Sequence, residues 1–157
     1  MKPIVFDWDA IEKEADERFS TLPEGTYEVA MTRFELKPSK EMLQTSGQSG
    51  FPYFNIELTI QSGEFKGRKL WDLWSLHPNA LSFGIGRNLP IFGVVLSGTA
   101  EYESYEELAA DISPKVLNQR ALAIVYHDTY GGRTTEKVQG YASQESITTE
   151  TRPRSVL

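Results

Sequence analysis

The sequence predicts a mainly β protein: a five-stranded Greek-key barrel with a short N-terminal helix and a helical insertion between the third and fourth strands. Three observations predict it. Segments with an apolar residue at every second position recur along the chain. Gly131 and Gly132 separate two such segments as a hairpin turn does, and the helix-forming stretches are confined to the N-terminus and the interval after Leu76. With 157 residues the chain can close one apolar core without staples. Its 39% hydrophobic and 24% charged residues are those of a globular domain.

Asp9 to Phe19 is rich in helix formers, and Ile11, Ala15 and Phe19 share one face at four-residue spacing, which predicts a short peripheral helix. Leu22-Pro-Glu-Gly25 reads as a turn. From Thr26 the chain alternates, with Tyr27, Val29 and Met31 on one side and then Phe34 and Leu36 shifted by one. Such a shift is what a β-bulge produces, so one long, bent first strand is expected. Lys37 to Gly50 has no useful periodicity and is expected as an exposed, mobile loop. Phe54, Ile56, Leu58 and Ile60 then alternate with Tyr53, Asn55, Glu57 and Thr59 in the cleanest strand of the chain.

After the turn at Ser62 to Gly67, the third strand, Arg68 to Leu76, offers two phases. One carries Arg68, Leu70, Asp72, Trp74 and Leu76, the other Lys69, Trp71, Leu73 and Ser75. Three large apolar residues in succession assign the first to the core, with Asp72 in need of hydrogen-bond partners or a bulge. Trp74 is then a core residue, and Trp71 faces outward beside Lys69.

Pro78 and Asn79 can start a helix with Leu81, Ile85 and Leu89 on one face, although Gly84, Gly86 and Pro90 interrupt it. Ser104-Tyr-Glu-Glu107 is a capping box opening a helix from about Tyr105 to Ile112, with Ser113-Pro114 as its stop. Arg120 to Tyr130 and Arg133 to Tyr141 form the last hairpin. Residues 1–142 therefore constitute one domain with an N-terminal helical extension, and 143–157, anchored only by Ile147, Val156 and Leu157, a flexible tail. Five strands with a helix between the third and fourth match the OB type of barrel.

The net charge of -6 conceals a division. Residues 1–30 carry 3 bases and 8 acids and residues 91–119 carry 1 and 5, whereas residues 31–90 carry 7 and 5 and residues 120–157 carry 5 and 4. Local fields rather than totals select partners. The absence of cysteine excludes disulfides, thiolate catalysis and cysteine-held metals. No apolar run reaches the roughly 20 residues of a membrane span, and the N-terminus lacks a signal-peptide core, so a soluble intracellular protein is expected. His77 and His127 lie far apart without companions; the first reads as a helix-start residue, the second as hydrogen-bonded or exposed. Gly84-Ile-Gly86 lacks the third glycine of a dinucleotide loop. No metal, cofactor or catalytic residue is expected, and the chain is not read as an enzyme.

An outward tryptophan beside a lysine on a curved sheet is a stacking platform for a nucleobase, with the cation meeting phosphate. Tyr53 and Asn55 share that face if the second strand pairs with the third, and the last hairpin adds Arg133, Lys137 and Tyr141 on an outward phase. In the alternative reading Trp71 is covered by the N-terminal helix or by a second copy of the chain.

The order and spacing of Leu22-Pro-Glu-Gly-Thr-Tyr-Glu-Val29, Lys37-Pro-Ser39, Tyr53-Phe-Asn-Ile-Glu57, Phe65-Lys-Gly-Arg-Lys-Leu-Trp-Asp72, Pro78-Asn-Ala-Leu81 and Lys137-Val-Gln-Gly-Tyr141 resemble a family of bacteriophage single-stranded-DNA-binding proteins with an OB fold. The resemblance covers about Phe6 to Tyr141. It implies sequence-tolerant coating of single strands in phage DNA replication or recombination, in the host bacterial cytoplasm. The DNA-binding candidates are Lys37, Lys40, Tyr53, Asn55, Arg68, Lys69, Trp71, Arg133, Lys137 and Tyr141. Duplex DNA (more weakly), phage or host replication proteins and a second copy of the chain stand as further candidate partners. The chain departs from the family at Ser82 to Pro90, where a regular helix is broken, and at the C-terminus, which lacks a run of acids. A second function class remains open: a non-catalytic protein-interaction or virion module that uses the same outward aromatics as an interface.

Overall fold

The computed structural model describes residues 2–19 and 21–144. Its elements are α1 (Trp8–Phe19), β1 (Gly25–Lys37), α2 (Lys40–Gln44), β2 (Tyr53–Ile60), β3 (Lys69–Ser75), a 3-10 turn (Pro78–Ala80), α3 (Ile85–Ile91), α4 (Tyr105–Val116), β4 (Arg120–Tyr130) and β5 (Arg133–Ala142). All five strands belong to one antiparallel-paired sheet in the order β3-β2-β1-β4-β5. From residue 145 onward the expected tail lies outside the described residues.

The first strand bends as its apolar spacing predicts. Met31 pairs with Leu58 and Arg33 with Glu57, so Thr32 is the extra residue, and the apolar phase moves from Val29 and Met31 to Phe34 and Leu36. The inner face of the sheet thus stays apolar along the full length of β1. Trp74, 2% exposed, sits among aromatic neighbours, with Phe34, Phe92 and Tyr141 about 6 Å away between ring centroids (6.1, 6.1 and 6.0 Å). Ile112 and Val116 of α4 complete the same core.

Closure into a barrel is not observed. The edge strands β3 and β5 share no ladder and meet through side chains: Tyr141 Oη donates to Asp72 Oδ2 at 2.7 Å, and Arg68 lies 3.9 Å from Glu136. These contacts match the start of β3 with the start of β5 and their later residues with each other, so the two edges run side by side in the same direction. The two strands approach within 8 Å between Cα atoms without exchanging backbone hydrogen bonds, and Asp72 and Tyr141 join them on the core side. The clasp therefore takes the place of a ladder.

Three other expectations change. The loop after β1 contains α2, started by Ser39, whose hydroxyl accepts from the Met42 amide at 3.3 Å. The 78–91 segment divides into a 3-10 turn and α3. His77 caps the former, its Nδ1 accepting from the Asn79 amide at 3.0 Å, and a Cβ on Gly84 would stand 3.2 Å from that of Trp74, so glycine permits the close approach. Helix α4 begins at its capping serine, with Ser104 Oγ accepting from the Glu107 amide at 3.1 Å, but runs through Pro114 to Val116. A proline in the last turns removes a single intrahelical donor, and the buried side chains of Ile112 and Val116 hold that turn against the core.

Candidate nucleic-acid interface

The register fixes which side chains share the outer face. Lys37, Tyr53 and Ser75 form one row across β1, β2 and β3; Glu35, Asn55 and Leu73 the next; Arg33, Glu57 and Trp71 a third; Thr59 and Lys69 lie beyond. Trp71 is 52% exposed and Leu73 is also exposed, while Trp74 on the opposite phase is enclosed, as the sequence predicts. Neither α1 nor any other described element covers Trp71. Five of the candidates, Lys37, Tyr53, Asn55, Lys69 and Trp71, thus meet on one surface, and Lys40 opens α2 directly after β1.

Beneath the cations lies a carboxylate. Glu57, 6% exposed, receives Lys69 Nζ at 3.0 Å and the Thr32 hydroxyl at 2.8 Å, with Arg33 Nε 3.8 Å away. Burial alone would raise its pKa, but the hydrogen bonds from Lys69 and Thr32 and the charges of Lys69 and Arg33 outweigh burial and hold it below the ordinary glutamate value. Glu35 similarly shares Arg33 (3.5 Å) and Lys37 (3.3 Å). The three cations are each about half exposed, so the face presents a net positive charge whose heads still reach solvent.

The hairpin residues divide. Arg133 and Lys137 are exposed, Lys137 opposite the exposed ring of Tyr126. Because β3 and β5 run in the same direction, these bases stand at the same end of the sheet as the 61–68 turn with its exposed Lys66. Arg68 is displaced from the Trp71 face: it occupies the inward phase just before β3, half-buried near Glu136.

Tyr141 is corrected outright. It is 6% exposed, packs on Trp74 and Phe92, and donates to Asp72; burial first, then the charge and hydrogen bond of Asp72, push its phenol well above the usual range. The strand changes phase at a bulge, Gln139. Val138 pairs with Val125 and Gly140 with Ile124, so the phase that carries Arg133 and Lys137 outward turns Tyr141 inward. Asp72 meets the need foreseen for it, accepting from Trp74 Nε1 at 3.0 Å and the Leu73 amide at 2.8 Å besides Tyr141.

Sequence reasoning missed Arg33, which the Thr32 bulge brings beside Glu57, and a cavity of about 240 Å³ between β3 and β5, lined in part by Leu73, Phe83, Arg87, Asn88 and Gly140. The adjacent Arg87-Asn88 pair inside a glycine-interrupted helix was the available signal. His127 is hydrogen-bonded, its Nε2 2.6 Å from the Leu22 carbonyl oxygen. Among the described residues no cluster of metal-ligating side chains occurs, and no helix is long and apolar enough to cross a membrane. No protein-family model and no curated protein matches the chain.

Proposed function

We propose that this protein binds single-stranded DNA without catalysis, laying bases on Trp71 and Tyr53 while Arg33, Lys37, Lys40, Lys69 and the hairpin bases Arg133 and Lys137 meet the backbone. The finer fold reading belongs with it: a five-stranded OB-type barrel whose last seam is closed by side chains, serving phage replication or recombination in a bacterial cytoplasm. The observation that carries the proposal is the half-exposed indole of Trp71 in a row with Arg33 and next to Lys69. Ion pairing does not disqualify those cations. Exposed pairs are worth about 0–1 kcal/mol, so a phosphate can take the place of Glu35 at little cost, while Lys69 and Arg33, each about half exposed, can meet a phosphate without leaving the enclosed Glu57.

Anisotropy of a labelled oligothymidine, measured against ionic strength, tests it. Three to six engaged cations give a log–log salt slope of about -2 to -4 for a single strand. Trp71→Ala should weaken binding by about 1–3 kcal/mol with the fold retained, whereas Trp74→Ala should destabilise the fold by about 3–5 kcal/mol. No binding at micromolar protein and low salt would sink the proposal and favour a protein-interaction module. One observation points that way: Ile4, Val5, Phe6 and Trp8 are exposed, with Phe6 and Trp8 stacked 5.3 Å apart.

A further inference from the structure

We infer that the cavity between β3 and β5 is a pocket for one unstacked nucleobase of the bound strand, read by the carboxamide of Asn88. The inference rests on the single-strand reading above and gives it a base-selective position.

The cavity follows from the unpaired seam. β3 and β5 exchange no ladder hydrogen bonds and are joined through Asp72 and Tyr141, the Gln139 bulge interrupts β5 beside them, and Gly140 contributes no side chain: a Cβ there would meet nothing within 4 Å. The segment from Ala80 to Asn88 borders the opening on another side. At about 240 Å³ it falls below the roughly 300–1,000 Å³ of clefts that enclose drug-sized ligands, which suits one ring system and excludes a whole nucleotide cofactor.

Its chemistry suits a base. Asn88 is 6% exposed, yet its carboxamide makes no hydrogen bond to any described residue. Among the described residues no fully buried side-chain nitrogen or oxygen lacks a partner, so this carboxamide keeps solvent contact, and the cavity that Asn88 lines supplies it. A ligand that displaces this solvent strands the amide, at a cost, unless it offers an adjacent donor and acceptor. The edges of nucleobases offer that pair, and a carboxamide recognises it in two parallel hydrogen bonds. Asp72, by contrast, already accepts from three donors. Phe83, 73% exposed, supplies a ring at the rim, and Arg87, which forms no ion pair among the described residues, a cation for the phosphate that follows. Unstacked bases are held in this way, between an aromatic face and a hydrogen-bonded edge. Leu73 belongs to both surfaces: it lines the cavity and stands two residues, about 7 Å, along β3 from Trp71. A strand stacked on Trp71 therefore passes the opening.

The test compares homopolymeric 12-mers of dA, dC and dT, together with a 12-mer carrying abasic sites, on wild type, Asn88→Leu and Phe83→Ala. Wild type is expected to separate the best and worst homopolymers by about fivefold, the worth of one to two net hydrogen bonds. Asn88→Leu should bring them within about twofold without changing the salt slope. Phe83→Ala alters an exposed side chain and so should fold; it should weaken the preferred homopolymer severalfold and leave the abasic strand unchanged. In 15N-labelled protein the Asn88 side-chain amide resonances should shift saturably with the matching deoxynucleoside. Unchanged homopolymer preference in both variants with a silent Asn88 amide overturns the pocket while strand binding stands. A wild type that binds no strand overturns the function on which the pocket rests, a separate result.

Discussion

Glu57 shows how one residue can serve two opposed ends. Its carboxylate is nearly enclosed on the outer face, where a buried charge survives only with partners, and Lys69, Thr32 and Arg33 provide them. The same contacts hold two cations in place beside Trp71 and cancel part of their charge. Glu57→Gln should separate the two roles. A carboxyl whose folded pKa is depressed contributes stability that is complete above its unfolded pKa and is lost as pH falls through the folded one. The stability advantage of wild type over Glu57→Gln should therefore be full at neutral pH and shrink through the acidic range below the ordinary glutamate value. Urea unfolding at a series of pH values checks this. At neutral pH the variant, less stable, should nonetheless bind oligothymidine more tightly at low salt, because Lys69 and Arg33 no longer share a fixed anion. A gap in stability that does not change with pH would show that the depressed carboxyl plays no part.

At the level of elements, bulges decide which residues reach the outer face proposed as the interface. The bulge in β1 was legible because Met31 and Phe34, three apart, bracket it with large apolar side chains on either side. The bulge in β5 leaves the same mark, Val138 and Tyr141 three apart, with Gly140 as a marker that a strand interior is interrupted. There Arg133 and Lys137 set a competing phase that carried Tyr141 outward with them, and nothing local reveals that Asp72 of β3 waits across the seam. Pairing between residues 69 positions apart is tertiary information. The phase of β3, the hairpin, the β1 bend and the start of α4 came from local pattern; the open seam, the cavity and the burial of Tyr141 did not. Because Gln139 is the extra residue, its deletion should leave a regular ladder with Tyr141 still opposite Ala123. The deletion should cost far less than the roughly 3–5 kcal/mol of a large core truncation such as Tyr141→Ala. Spectrophotometric titration should find one phenol as resistant to ionisation as in wild type; if that resistance disappears, the bulge is what holds Tyr141 inside.

Across the whole molecule, charge is arranged by segment. Residues 2–16 carry 2 bases and 5 acids, half of the chain's net charge of -6, on a stretch that contributes no described residue to the core. If the sheet binds single strands as proposed, an acidic arm attached to it repels the same polyanion, over a range set by the Debye length, about 10 Å at 0.1 M salt. Removing residues 2–16 should therefore leave stability within about 0.5 kcal/mol of the full chain, as for changes at exposed positions. It should also speed association with oligothymidine on the order of two- to tenfold at low salt, with the difference fading as salt rises. Stopped-flow association at several ionic strengths, beside thermal melts of both proteins, measures the two effects. The salt dependence matters more than the size of the gain, because an arm that blocks Trp71 sterically would slow binding equally at all ionic strengths. Slower association after truncation would mean that Phe6 and Trp8 themselves take up bases, moving part of the interface from the sheet to the arm.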